Sequence, residues 1–347
     1  MLALGIETSC DETSAAVVED GRRVLSSIVS SQIPHHAPYG GVVPEIASRQ
    51  HVLAIRGVVA LALETAGVGR NEVQAIAVTQ GPGLAGALLV GLSFARGLAM
   101  ALDVPLFPVN HLEGHLHSVW LSRATPLPDP PPLPMLALIV SGGHTELVVM
   151  RDHGDNLVIG KTVDDAAGEA FDKVARVLGL PYPGGPEIER VAATAGHPEA
   201  LPRAWLRGTH NFSFSGLKTA TLRAFRDHLS VAHRISPENP TGAGQSLPPE
   251  EIANLAAGFQ ESVIDVLVKK SINAAVEHRA RSIAVVGGVA ANGALRDRMR
   301  SASPVPLLVS PPEFATDNAA MIASAGFYLP ATRAAIDVLP SLSLDQR

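Results

Sequence analysis

His111 and His115 are the first residues in this chain whose types and spacing suggest chemistry. On a helix, side chains four apart lie on one face about one turn apart, so both imidazoles reach a single metal ion. Asn110, a good N-cap, places a helix start just ahead of them. Two imidazoles do not make a site, so a carboxylate or another group must complete it. Glu113 is a poor choice, since at i+2 it points about 200° round the helix from His111. Leu112 stands where a zinc protease would carry its general-base Glu, next to the first His. The plain alternative is a helix that happens to be rich in histidine, His117 included.

Three loops at strand ends suggest an anionic ligand. Ser141-Gly142-Gly143-His144-Thr145 lies between two apolar runs, and its glycines leave backbone N–H groups free to face an anion while the hydroxyls add donors. Gly287-Gly288-Val289-Ala290-Ala291-Asn292 follows a strand and opens a helix, whose N-terminal amides and dipole favour negative charge. Glu7-Thr8-Ser9-Cys10-Asp11-Glu12 is the third. Each alone is an ordinary turn; three in one chain point to a nucleotide. None is a P-loop, because no Gly-Lys-Ser or Gly-Lys-Thr is present.

Residues 164–173 pack acids round small residues. An acidic helix N-terminus explains Asp164, Asp165 and Glu169; Asp172 fits that account less well and suits a ribose hydroxyl. Pro183-Gly184-Gly185-Pro186 reads as a rigid turn, either a close backbone approach to a sugar or a simple chain reversal. Asp317 precedes a final helix, where a lone Asp is most often an N-cap, and nothing in the sequence leads from it to the histidines.

The elements that must position these residues follow from periodicity. Segments 2–29 and 136–160 both read strand, small polar loop, strand, turn, strand, which suggests an internal duplication with each copy opening one lobe. Helices are expected over 44–66, ending at Gly67, over 84–102, from Asn110, over 168–179, through 252–267, from Asn292 and from Thr316; strands are expected at 75–79, 106–109, 282–286 and 306–309. Proline-rich residues 127–134 read as a linker. The expected division is 1–126 for the first lobe, 135–325 for the second, and 326–347 packing back on the first. Alternating strands and helices imply sheets covered by helices, with a ligand cleft between lobes.

Composition agrees with such a chain. Of 347 residues, 46 % are hydrophobic and 17 % charged, which excludes disorder; aromatics at 4 % leave packing to aliphatic side chains. A net charge of −6 argues against a general nucleic-acid coat. It leaves room for a local patch, and Arg203, Arg207, His210, Lys218, Arg223, Arg226, His228, His233 and Arg234 concentrate basic character, with a solvated helix face as the alternative. A single cysteine, Cys10, fits a reducing compartment. The start of the chain lacks the pattern of a signal peptide, and the longest apolar stretches are interrupted, so a soluble cytoplasmic protein without a membrane span is expected.

Taken together, Gly5–Thr13, Gly81-Pro82-Gly83, Asn110–His115, Ser141–Thr145, residues 164–173, Phe212–Thr219, Gly287–Asn292 and Thr316–Met321 resemble the tRNA N6-adenosine threonylcarbamoyltransferase family of bacterial TsaD/YgjD (Gcp) type, once described as an O-sialoglycoprotein endopeptidase. The departures are Glu189, where relatives often carry Asp, the proline-rich linker, and the polar segment 236–249. The resemblance implies an α/β fold of two duplicated RNase H-like lobes of the actin/Hsp70/sugar-kinase (ASKHA) superfamily with an interlobe cleft. It implies Asp317 as third ligand, brought by lobe closure to His111 and His115, with one divalent ion, Fe2+ or Zn2+. Ile139, Val140, Ser141, Gly142, Gly143, Asp172, Gly185, Glu189 and Asn292 then bind threonylcarbamoyl-AMP. Asp11, Glu12 and His144 border the cleft, with Glu12 ranked first as proton acceptor. The implied partners are tRNA, a TsaB-like dimerising paralogue, a TsaE-like ATPase and an upstream TsaC-like adenylate synthase, with helices 44–66 and 84–102 as docking faces. The rival expectations are a metalloendopeptidase, a small-molecule kinase of the same fold, and a non-enzymatic scaffold.

Overall fold

A computed structural model describes residues 1–235, 247–330 and 336–345, with the side chains of 231–235 outside the description. The first sheet is built from β1 (Leu2–Glu7), β2 (Glu12–Glu19), β3 (Arg23–Ser31), β4 (Ala75–Gly81) and β5 (Leu106–Asn110) in the order β3-β2-β1-β4-β5. The second contains β6 (Met135–Val140), β7 (Thr145–Asp152), β8 (Asp155–Lys161), β9 (Ser282–Val286) and β10 (Leu307–Val309) in the order β10-β9-β6-β7-β8. In each sheet the opening strand is central, runs antiparallel to the second and parallel to the fourth, so the two orders are one topology met twice. β1 and β6 are buried nearly throughout, as strands covered on both faces must be. The duplication read from the two meanders is thus present in the strand pairing.

The helices are α1 (Ile33–His36), α2 (Pro44–Ala66), α3 (Ala85–Leu102), α4 (His111–His117), α5 (Ala167–Val177), α6 (Gly184–Ala192), α7 (Ser215–Ile235), α8 (Pro249–Glu277), α9 (Gly293–Ala302) and α10 (Ala319–Tyr328). α2 starts on Pro44 and stops at Gly67, which takes the left-handed conformation at φ +65 that favours glycine. α2 and α3 cover one face of the first sheet through Ile55, Val59, Leu92 and Ala95. Both are long and apolar enough to cross a bilayer. α5, α6 and α8 build the larger core on the second sheet. The turn expected at 183–186 opens α6 instead of reversing the chain, and the polar segment 236–249 falls largely outside the described residues.

α4 and α10 decide where chemistry is possible. Every residue of α4 is buried. Leu112 and Leu116 pack on Met135, Ala137 and Ile139 of the second sheet, so α4 is a wedge between the lobes. α10 leaves the second lobe and packs on Ala3, Ala16 and Ala77 of the first sheet. A Cβ on Gly5 would stand 2.1 Å from the Ala319 carbonyl oxygen, and one on Gly114 would stand 2.8 Å from Ile322 Cδ1. Bare backbone at both positions lets α10 press against β1 and α4. After α10, residues 336–345 run back over the first lobe: Leu339 N–H donates to the Gln80 carbonyl at 2.9 Å and Arg96 to that of Ile336 at 3.1 Å.

Candidate metal centre and interlobe cleft

Asn110 ends β5 and caps α4, accepting the Leu112 N–H at 2.9 Å. The helix then turns His111 and His115 to one side and the apolar pair Leu112 and Leu116 to the other. Their rings stand nearly perpendicular, at 85°, with centroids 4.7 Å apart. Asp317 immediately precedes Asn318, the N-cap of α10, whose side chain accepts the Met321 N–H at 3.0 Å. The packing of α10 on α4 delivers the carboxylate: Asp317 Oδ1 is 3.5 Å from His111 Nε2 and 3.2 Å from His115 Nε2. No lobe closure is required to bring it there, because α10 already belongs to the first lobe's packing. That corrects the expected route of lobe closure.

The three donor atoms lie within 4.8 Å of one another. First-row cations with bonds of about 2.1 Å need neighbouring ligand atoms separated by roughly 3–3.5 Å. His115 is fully buried, its Nδ1 has no hydrogen-bond partner among the described residues, and its Nε2 faces the Asp317 carboxylate at 3.2 Å outside hydrogen-bonding geometry. A buried imidazole left so costs about 1–3 kcal/mol. A cation on Nε2 removes much of that cost, so the residues fit a metal ion. Glu7 strengthens the fit. His111 Nδ1–H donates to Glu7 Oε2 at 3.0 Å, with Ser9 Oγ 3.2 Å from the same nitrogen, leaving the Nε2 lone pair toward Asp317. Thr79 Oγ1 donates to Glu7 Oε2 at 2.6 Å, and the Ser9 N–H donates to Glu7 Oε1. Carboxylate support of this kind fixes the tautomer of a metal-binding histidine.

Burial opposes every charge here and the mutual attraction overcomes it. Burial raises the Glu7 carboxyl, yet His111 beside it holds it below its ordinary value. Burial likewise raises Asp317, but His111 and then His115 hold it well below the usual carboxylate range. Burial lowers His111, while Asp317 and Glu7 raise it well above the normal imidazole value.

A cavity of about 690 Å³ opens from this centre between the lobes. Its first-lobe wall carries Ser9, Cys10, Asp11, Glu12 and Gly83; its second-lobe wall carries Ser141, Gly142, Gly143, His144, Asp172 and Gly288. Gly142 and Gly143 are exposed, a Cβ on either meets nothing within 4 Å, and their amides have no partner among the described residues. Ser141 closes the turn by donating its N–H to the His144 carbonyl at 2.8 Å. Burial and the positive charge of His111 and His115 push His144 down to about 4, so it is a neutral imidazole. Burial, then the adjoining Asp11 and Asp317 charges, push Glu12 up to about 9. Arg176 bridges the cleft by donating to the Gly40 carbonyl.

The structure places the other expected residues as follows. Ile139 and Val140 are fully buried strand residues. Asn292 caps α9 by accepting the Leu295 N–H at 2.9 Å and donates to Gln260 at 2.8 Å. Glu189 accepts the Gly293 N–H at 2.7 Å. Asp172 borders the cavity and accepts the Gly184 N–H at 2.7 Å and the Gly185 N–H, so it also secures the start of α6; burial raises its carboxyl. The basic stretch is largely neutralised: Arg203 pairs with Asp265 at 2.9 Å, Lys218 with Asp165 at 3.5 Å, His210 with Glu277 at 3.1 Å and His228 with Glu251 at 3.1 Å. Arg207, Arg223 and Arg226 stay exposed without an ion pair among the described residues; the side chains of His233 and Arg234 lie outside them. A second trio, His210, Glu277 and His278, sits beside Lys269 and Lys270, whose charge opposes a cation.

Sequence reading missed three residues. Glu7 carried a usable signal, a carboxylate ending an apolar strand, which must find partners once buried. Tyr182 and Arg176, both on the cavity wall, carried none.

Comparison with known proteins agrees on the fold and goes further. A family model described as "TsaD: tRNA N6-adenosine threonylcarbamoyltransferase" matches residues 23–324. The protein of that name from Thermomicrobium roseum is 55 % identical over 342 residues, covering 95 % of this chain and 92 % of that one. Its namesake from Bacillus subtilis is 49 % identical over 331 residues, covering 94 % and 90 %. Among solved structures, HypF from T. kodakarensis superposes with a TM-score of 0.59 at 15 % identity, covering 94 % of this chain and 47 % of that one. Component A of the Acidaminococcus fermentans (R)-2-hydroxyglutaryl-CoA dehydratase superposes with a TM-score of 0.53 at 14 % identity, covering 94 % and 98 %. At such identities these two share the two-lobed ASKHA fold alone.

Proposed function

The chain belongs to the tRNA N6-adenosine threonylcarbamoyltransferase family and is a transferase acting on tRNA; from that premise we infer that the interlobe cleft performs the transfer, with threonylcarbamoyl-AMP as donor. The observation that carries the reading is the convergence of His111, His115 and Asp317, with the buried His115 Nε2 turned on the Asp317 carboxylate without a hydrogen bond. A divalent ion held there, Fe2+ or Zn2+, supplies Lewis-acid charge for the donor's oxygens. Glu7 holds His111 in the tautomer that faces the ion.

The donor is a mixed anhydride with a good leaving group, and the adenosine amine next to the anticodon is a weak nucleophile. Orientation and charge stabilisation are therefore the enzyme's main task. Gly142 and Gly143 offer free amides to the phosphate across the cavity from the acids. The amine nitrogen bonds to the carbamoyl carbon, the bond from that carbon to the phosphate oxygen breaks, AMP leaves, and the amine's proton passes to the Asp11–Glu12 pair. Burial and the neighbouring Asp11 charge push Glu12, ranked first as acceptor from sequence, up to about 9, so acceptance is assigned to the hydrogen-bonded pair and not to Glu12 alone. His144, neutral, borders the transferred group.

The exposed apolar residues Val52 and Leu53 of α2 and Leu89 and Met100 of α3, with Leu53 76 % and Met100 83 % accessible, support docking of a TsaB-like paralogue. A TsaE-like ATPase, a TsaC-like supplier of the adenylate and a cytoplasmic location complete the proposal, with the lobes divided at the 127–134 linker and α10, expected in the second lobe, assigned to the first on which it packs. The peptidase and kinase readings are not favoured: Leu112 occupies the general-base position and the relatives are named as transferases. Single-turnover incubation of metal-loaded protein with threonylcarbamoyl-AMP and purified tRNA should yield modified tRNA. The His111→Ala, His115→Ala double variant should lose at least ~10³-fold in rate, matching the several kcal/mol a Lewis acid supplies, while keeping its far-UV circular dichroism. Full transfer by that variant would overturn the metal reading.

A further inference from the structure

The loop that joins β1 to β2 is held by its carbonyls. Leu84 N–H, at the start of α3, donates to the Ser9 carbonyl at 2.8 Å, and Gln32 N–H, just past β3, donates to that of Asp11 at 2.9 Å. Between them, the Cys10 carbonyl lies 2.9 Å from Nε2 of His51, a fully buried residue on the inner face of α2. A carbonyl only accepts, so Nε2 carries the proton and Nδ1 is the acceptor. Nδ1 has two donors in reach: Thr13 Oγ1 at 2.8 Å and Gln32 Nε2 at 3.3 Å. Gln32 continues the network through His36, 3.2 Å from its Oε1. Burial keeps the His51 imidazole below its ordinary value, in keeping with one neutral tautomer.

A satisfied core histidine is the plain reading of such a residue. Its partner makes the difference: of the three donors to these loop carbonyls, His51 alone is a side chain, and it reaches the peptide next to Asp11 and Glu12. We propose that His51 is a positioning residue that fixes the Cys10–Glu12 segment in the cleft wall. The proposed role of Asp11 and Glu12 in transfer is the premise for its effect on catalysis; its effect on the loop does not depend on that premise.

Cys10 is the only cysteine in the chain, is partly accessible, and lies on the cavity wall, so its alkylation reports the loop directly. In the intact protein burial, with the Asp11 charge next, pushes the thiol well up, so reaction with iodoacetamide should be slow. His51→Leu removes the donor and should raise the alkylation rate about tenfold, the opening that one lost hydrogen bond to a buried acceptor permits. It should also lower kcat for transfer while leaving KM for tRNA unchanged. His51→Gln keeps an N–H donor and should restore most of both. Val58→Ala, on the same helix and away from the loop, controls for general loss of stability and should leave the Cys10 rate unchanged. If His51→Leu and Val58→Ala alter Cys10 reactivity alike at matched Tm loss, the proposal fails. A freed Cys10 with undiminished transfer would uphold the positioning role and overturn the assignment of Asp11 and Glu12.

Discussion

The β1–β2 and β6–β7 loops occupy the same station in the two copies of the fold and face each other across the cleft, yet their chemistry is opposite. The first contributes Glu7, Asp11 and Glu12, and its carbonyls are consumed by Leu84, His51 and Gln32. The second contributes Gly142 and Gly143, exposed and with free amides. One loop has spent its acceptors on holding carboxylates still; the other has kept its donors for a ligand. Two equivalent turns of one topology have thus diverged into an acidic loop beside the histidines and a glycine loop with exposed backbone, and on the proposed function the first serves a cation and a proton and the second an anion.

The largest effect should come from the acidic side. Glu7→Gln retains shape and loses the charge that orients His111. Loss of such carboxylate support weakens metal binding by about 10–100-fold. A competition titration of Zn2+ against a chromophoric chelator would measure it, and unchanged affinity would break the claim that the first loop is built round a cation. The glycine side should respond differently. Gly142→Val points into open space, so Tm should hold while KM for the adenylate rises roughly tenfold, the equivalent of one charge-assisted hydrogen bond. Gly83→Val, on the opposing wall, would put a Cβ 2.6 Å from the Ser9 carbonyl oxygen and should lower Tm instead. A Tm loss at Gly142 with unaltered KM would make the second loop a mere turn.

Much of this was readable in the chain, in proportion to how local the cause is. α2 was bounded by Pro44 and Gly67, and β9 by its apolar run, because caps and periodicity act within a few residues. The histidine pair was visible for the same reason. Asp317 was not connected to it, because that contact depends on α10 pressing on α4 through Gly5 and Gly114, a packing fact with no local period. Glu7 and His111 are 104 positions apart, and His51 and Cys10 are 41 apart. α6 was taken for a turn because glycine and proline dominate its start; the Asp172 carboxylate, holding the Gly184 amide, supplies from a distance the cap those residues lack. That Glu189 and Asn292 both hold the start of α9 was equally beyond local reading, since Glu189 and Gly293 are 104 positions apart.

The smallest effect tests whether the acidic loop carries strain that the glycine loop does not. Burial, and then the Asp11 charge, disfavour the ionised form of Glu12 and push it up to about 9 from an ordinary value of 4.5. A carboxyl raised in the folded state contributes fully below 4.5, and that contribution is lost as pH rises through 9. Above pH 4.5 the wild-type chain is therefore under increasing penalty, whereas Glu12→Gln cannot ionise and keeps a donor for Asp11. In chelator-treated protein, thermal melts of the variant should match wild type near pH 4.5 and exceed it by several °C at pH 8, because each of the pH units between carries a penalty of up to about 1.4 kcal/mol. A variant less stable than wild type at pH 8 would mean that Glu12 is ionised and favourably paired there, and the two loops would then differ in charge but not in strain.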